Sequence, residues 1–230
     1  MFRFTLIKKV KHLKNKPGKK IKVNRIPERG FHDSETIYKI IDEALYCHIS
    51  FIQDGHPFII PTIHARMNDH LVFHGAKASR LLKQISSGEE IAVSITILDG
   101  LVLARSVFHH SMNYRSVVIF GKGKLIENKN EKLKALEAIT NHILPGRWDD
   151  ARKPNEKELN ATSVVSLKID EASAKIRSGP PKDEEEDYDL PVWAGVLPFS
   201  KKFEQPNADP KLKSGILLPD YVNKLIKSKL

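Results

Sequence analysis

Six segments with a period of two, set apart by hairpin signals, limit what this chain can fold into. His48–Gln53 alternates apolar and polar residues, Asp54-Gly55 supplies a hairpin turn, and Pro57–Ala65 continues as a second strand. A turn at Asn68-Asp69 leads into His70–His74. Ile91–Leu98 is strongly apolar, Asp99-Gly100 reads as another turn, and Arg115–Ile126 is strand-like again. Ser163–Ile169 is the last clear strand. Strict β-α alternation is absent, which argues against a doubly wound sheet. The pattern predicts a mainly β fold with peripheral helices, as an antiparallel barrel or sandwich.

Three segments carry helical spacing instead. Asp33 or Ser34 can cap a helix bearing Ile37, Ile40, Ile41 and Leu45 on one side. Lys77–Ser87 places Leu81, Leu82 and Ile85 on one face, and Gly88 stops it. Asn130–His142 does the same with Leu133, Leu136 and Ile139, and Pro145-Gly146 ends it.

Charge divides the chain. Of 38 Lys/Arg and 28 Asp/Glu, residues 1–30 hold eleven and one, which leaves 27 of each in the remainder. The net charge of +10 therefore sits in residues 1–30, nearly all of it in a leader, residues 1–23, read as basic and flexible. Such a segment is either a solvated tail or a nonspecific contact for nucleic acid or anionic lipid. Residues 24–178 form the expected folded domain. Residues 179–230 follow as an acidic loop, within SGPPKDEEEDYD of residues 178–189, and a wrapping tail without much regular structure. No apolar run approaches the roughly 20 residues that span a bilayer. The first residues lack the apolar core and cleavage site of a secretory signal. The single cysteine, Cys47, excludes an internal disulfide and a Cys-rich zinc site. A cytoplasmic protein without a membrane partner or a specific nucleic-acid partner is expected.

The run DGLVLARSVFHHSMNYRSVVIFG, Asp99 to Gly121, sets Arg105, Arg115, His109 and His110 among strand-formers. Buried polar groups cost free energy unless paired, so the run is either partly exposed or lines a site. His74-Gly75-Ala76-Lys77-Ala78-Ser79-Arg80 passes from a strand into a helix start. Glycine there admits a ligand to the backbone, and Ser79 with Arg80 can hold a terminal phosphate; otherwise Arg80 pairs with a nearby acid. It is neither a Walker loop nor a dinucleotide fingerprint. The histidines lack a carboxylate pattern that signals a metal, so no metal site is assigned. Cys47, in LYCHI, reads as a buried small hydrophobe. Lys175 and Arg177 lie past the last clear strand, either solvated or closing an anionic pocket. Trp193 is either a tail anchor buried on the domain or an aromatic wall beside a ring-shaped ligand.

These motifs together resemble a known family. RIPERGFHDSETIYKIIDEALYCHI, PFIIPT, FHGAKASRLL, the run from Asp99 to Gly121, ILPGRW, SAKIRSGPP and PVWAGVLP are similar to the flavin-nucleotide-binding proteins of the pyridoxamine 5′-phosphate oxidase-like superfamily. The nitroimidazole-resistance reductases are related to these. The resemblance spans residues 24–220 and leaves out the leader. It implies an FMN-binding split β-barrel of Greek-key connectivity, and a homodimer with FMN at the interface. By position, Pro61, Thr62 and His64 would run along the isoalloxazine, with His74 and Gly75 beside it. Ser79 and Arg80 match the phosphate-binding pair, Arg115 and Ser116 a strand facing the flavin, and Lys175 and Trp193 further contacts. The chain departs from the true oxidases at its end, which reads LKSGILLPDYVNKLIKSKL and lacks their substrate-gripping Arg-Leu-His-Asp-Arg-like run. The resemblance therefore implies an FMN-dependent oxidoreductase acting on a small aromatic or nitro-aromatic molecule, with His74 as the catalytic residue. A flavin carrier or redox sensor without turnover is the alternative.

Overall fold

The computed structural model describes residues 18–227, so the first 17 residues of the expected leader lie outside the described residues. The strands are β1 (Gly30–Phe31), β2 (Tyr46–Gln53), β3 (His56–Ile63), β4 (Ala65–Met67), β5 (His70–Ala76), β6 (Glu90–Leu103), β7 (Ser111–Leu125), β8 (Thr162–Lys168), β9 (Glu171–Arg177) and β10 (Gly195–Pro198). The helices are α1 (Ser34–Glu43), α2 (Arg80–Ile85), α3 (Lys129–Ile143), α4 (Arg147–Asp150), α5 (Glu156–Ala161) and α6 (Asp220–Lys227).

Every strand pairing is antiparallel. One sheet runs β3-β2-β6-β7, with β9 and then β1 beyond β7. The other runs β7-β8-β5-β4. β7 serves both, because Tyr114–Phe120 pairs with β9 and Gly123–Leu125 pairs with β8. The result is a split β-barrel whose sheet stays open. Gly123 makes the crossing possible: a Cβ there would lie 2.4 Å from the carbonyl oxygen of Ile85 on α2.

The barrel interior follows from strand alternation. Cys47, Ile49 and Phe51 of β2, Ile91, Val93 and Ile95 of β6, and Val117 and Ile119 of β7 all point inward. Ile37, Ile40 and Ile41 of α1 join them. α1 starts where Asp33 caps it, accepting a hydrogen bond from the Thr36 amide at 2.8 Å. A second, smaller core lies on the far side of the β8-β5-β4 sheet, where Val72 and Val164 pack beneath Ala135 and Ile139 of α3.

Three expectations are corrected. Asp99-Gly100 is no turn: β6 runs through it with a bulge between Leu98 and Gly100. The physical reason is β10, which pairs along Gly100–Leu103 so closely that a Cβ at residue 100 would meet the Leu197 carbonyl at 2.8 Å. The reversal comes later, around the short helical turn Val107–His109. Ser163–Ile169 is not the last strand, since β9 and β10 follow and Lys175 and Arg177 lie within β9. The tail beyond Leu190 contributes β10 and α6.

Candidate functional site

Pairing register sorts the expected site residues onto faces. Thr96, Ser116 and Lys175 form one row across β6, β7 and β9, on the outward face. Ile97, Arg115 and Ile176 form the next row, on the core side. The side chains of Arg115 and Ser116 therefore point to opposite faces of the sheet. Ser116 donates to the Lys175 carbonyl at 3.3 Å. Arg115 is instead clamped between the carboxylates of Asp99 and Glu43, the last residue of α1. The hydrogen bonds it donates to these two carboxylates hold its pKa above the ordinary guanidinium value.

The outward face continues over β2 and β3. Tyr46, Ile52, Ile59 and Ile63 are exposed there together with Pro61. β3 ends the sheet, so the backbone of Pro61 and Thr62 borders an open edge. An open edge leaves C=O groups, and N–H groups except at proline, free to pair with a ligand or another chain. His64 points the other way and is fully buried. Its Nε2 lies 3.0 Å from the Ile41 carbonyl, and its ring sits 5.1 Å from that of His142. Burial pushes its pKa down to about 4. Its side chain belongs to the core.

β5 carries the next group. His74 pairs with Val164 and shares its face, the one that packs under α3. The imidazole is half-buried, its Nδ1 has no partner, and desolvation lowers its pKa. Gly75 lies on the opposite side, where a Cβ would meet Leu82 Cδ2 at 2.8 Å. The seating of α2 against β5 accounts for that glycine without a ligand. Ser79 is the N-cap of α2, and its hydroxyl makes no capping hydrogen bond. Arg80 is exposed, with its guanidinium 4.9 Å from the centre of the Phe58 ring. No ion pair with a carboxylate involves Arg80 among the described residues. The alternative in which Arg80 pairs with a nearby acid is not seen.

Trp193 is 67% exposed, so it is not the buried tail anchor of the first alternative. Cys47 is fully buried, and desolvation pushes its thiol up to about 12, which leaves it unreactive at neutral pH.

The polar groups of the Asp99–Gly121 run find partners partly within the run, as Arg115 does in Asp99 and His110 in the Ser106 carbonyl, and partly elsewhere in the chain. Asp183, in the acidic stretch, accepts from the amides of Arg105 and Ser106 and from Arg105 Nη1, at 3.0–3.3 Å. Arg105 also lies 4.9 Å from the centre of the Tyr188 ring. Asn113 donates to the Gly179 carbonyl at 3.1 Å. The acidic stretch is thus pinned to the β6–β7 connection and is more than a solvated loop. Sequence reasoning missed Glu43, Asp99 and Asp183 because nothing local marks a carboxylate whose partner lies 16 to 78 residues away.

The chain belongs to the pyridoxamine 5′-phosphate oxidase family, whose model matches residues 33–176. It is 36% identical to the flavocytochrome Anf3 of Azotobacter vinelandii, over 91% of this chain and 97% of that one, with a TM-score of 0.86. It is 34% identical to a protein of Mycobacterium smegmatis described as binding FAD and haem, over 86% and 97% of the two chains, with a TM-score of 0.83. A Bacteroides thetaiotaomicron structure described by 5-nitroimidazole antibiotic resistance shares the fold, at 22% identity, 64% and 86% coverage and a TM-score of 0.54. Among curated proteins none matches. No helix among the described residues is long and apolar enough to cross a membrane.

Proposed function

We propose that this chain is an FMN-dependent oxidoreductase that works as a homodimer. The observation that carries this reading is the Ser79–Arg80 pair. Its hydroxyl makes no capping bond, its guanidinium meets no carboxylate, and both follow directly on β5. A free hydroxyl and a free guanidinium suit a terminal phosphate, since Arg binds phosphate through charge-assisted, often bidentate hydrogen bonds. The open backbone edge at Pro61 and Thr62 suits the hydrogen-bonding rim of a flavin ring. The flavin, when bound, supplies the redox step, and the protein binds and orients it.

Ser116, Lys175 and Trp193 remain proposed contacts, because all three are accessible on the outward side or the tail. The exposed apolar residues Tyr46, Ile52, Ile59 and Ile63 support a second copy covering this face. His74 is the residue proposed to act on the substrate. Its lowered pKa keeps the imidazole neutral at pH 7, which favours orienting a small aromatic molecule over donating a full proton. His74→Ala is expected to lower turnover while leaving flavin content unchanged; unchanged turnover would remove that role.

The visible spectrum of the purified protein is the direct test. The two bands of an oxidised flavin, bleached by a reduced nicotinamide, support the reading, and a colourless protein that takes up no added FMN ends it. Slow bleaching without passage of electrons to an acceptor favours the carrier or sensor. FAD in place of FMN, or an additional haem, is the second reading. It rests on the two relatives above 30% identity, described as a flavocytochrome and as an FAD- and haem-binding protein. A Soret band would establish the haem.

A further inference from the structure

Arg177 ends β9 on the outward side and is buried, with 7% of its surface exposed. A buried cation normally meets a carboxylate, because losing water costs several kcal/mol unless charge compensates. Here every acceptor is neutral. The guanidinium donates to Asn113 Oδ1 and, at 3.5 Å, to the carbonyls of Gly179 and Pro180. Burial, and then the positive charge of Arg29, lower its pKa.

Arg177 lines a cleft of about 240 Å³ together with Arg29 and Lys182. Glu28 is the one acid among the lining residues, and no ion pair joins it to any of the three cations. Phe31 and Ile176 supply an apolar wall. The cleft thus collects three positive charges against one negative, around a buried guanidinium without a counter-charge.

We propose that the Arg29–Arg177–Lys182 cleft is a binding site for an oxyanion, the carboxylate or phosphate group of a small ligand, distinct from the Ser79–Arg80 pair and adjoining the flavin contact proposed for Lys175, two residues along the same face of β9. A planar guanidinium fork fits the two oxygens of either group. The separation follows from topology. Arg80 rests on Phe58 of β3, whereas Arg177 lies on β9, four strand positions along the same sheet. The cleft also differs from the Arg115 clamp, whose guanidinium already has two carboxylates.

The test is thermal unfolding of the full chain with inorganic phosphate, and in a second arm acetate, at ionic strength held constant with chloride. Arg29→Gln and Lys182→Gln are the variants, since both residues are less buried than Arg177 and can change without exposing the core. Each is also made with Arg80→Gln, which removes the other cationic site. We expect saturable stabilisation by phosphate or acetate, with the dissociation constant raised about fivefold or more by either substitution, and unchanged flavin content. Response to phosphate alone identifies a phosphorylated ligand, and response to acetate as well identifies a carboxylate. Stabilisation that rises without saturating and equally in the variants overturns the proposal. So does loss of flavin in Arg29→Gln, because the cleft would then belong to the flavin site. A colourless protein that keeps the Arg29-dependent response overturns the flavin reading and leaves the cleft standing.

Discussion

The Arg115 guanidinium forks onto Asp99, with Nη2 donating to Oδ1 at 2.7 Å and Nε to Oδ2 at 2.9 Å. Glu43, at the end of α1, takes the other side of the same guanidinium. One arginine thereby ties α1 to the two longest strands, at the point where β6 bulges to admit β10. Arg115→Met is expected to cost about 1–3 kcal/mol, because it leaves two half-buried carboxylates facing each other unpaired. Urea unfolding checks the loss. Flavin bound per folded molecule should not change, and a selective loss of flavin would return Arg115 to the binding site.

His64 makes stability fall in acid. Its folded pKa of about 4 lies below the ordinary histidine value, so between about pH 6.5 and pH 4 the unfolded chain binds the extra proton. Stability rises with pH across that window, and the stabilisation lost on descending through it is about 3 kcal/mol for a buried group with this shift. His64→Gln, which can still donate to the Ile41 carbonyl, should flatten the acid limb. Unfolding measured at several pH values would show an equally steep limb in the variant if His64 were not its source.

Two glycines should respond differently to alanine. Gly123→Ala drives a methyl against the backbone of Ile85, which cannot give way, and should cost about 1–3 kcal/mol. Gly75→Ala meets only the end of the Leu82 side chain and should cost less. The order of the two melting temperatures is the readout. If Gly75→Ala weakened flavin binding far more than stability, close approach of a ligand would be the better account of that glycine.

Arg80→Gln should raise the FMN dissociation constant about 10- to 100-fold, the size expected for a charged hydrogen-bond partner of a phosphate. Because Arg80 is exposed, unfolding of the flavin-free protein should change by less than about 0.5 kcal/mol. Fluorescence titration with FMN measures the first quantity and thermal unfolding the second. Equal affinity in the variant would take the phosphate away from this pair.

Much of the fold was legible because local chemistry and burial agreed. Asp33 capped α1 where its isoleucines began to repeat every three or four residues, and Asp54-Gly55 closed the β2–β3 hairpin, with both residues at positive φ. β9 stayed hidden because its inward positions are Ala172, Ala174 and Ile176, and two alanines carry little strand signal beside Glu171, Ser173 and Lys175. Asp99-Gly100 misled because the same dipeptide serves a turn and a bulge, and only the distant β10 decides between them. Ser79 and Arg80 were legible as the start of α2. The face that each side chain takes was not. Arg115 and Ser116 are adjacent in sequence, yet on a strand their side chains point apart.

β7 has one more consequence. Its Tyr114–Phe120 stretch and its Gly123–Leu125 stretch belong to different sheets, yet they are one unbroken strand. Neither half of the barrel can come apart without giving up hydrogen bonds along this shared strand. The two halves are therefore bound into a single cooperative unit, whose amides should exchange with solvent only when the whole barrel opens.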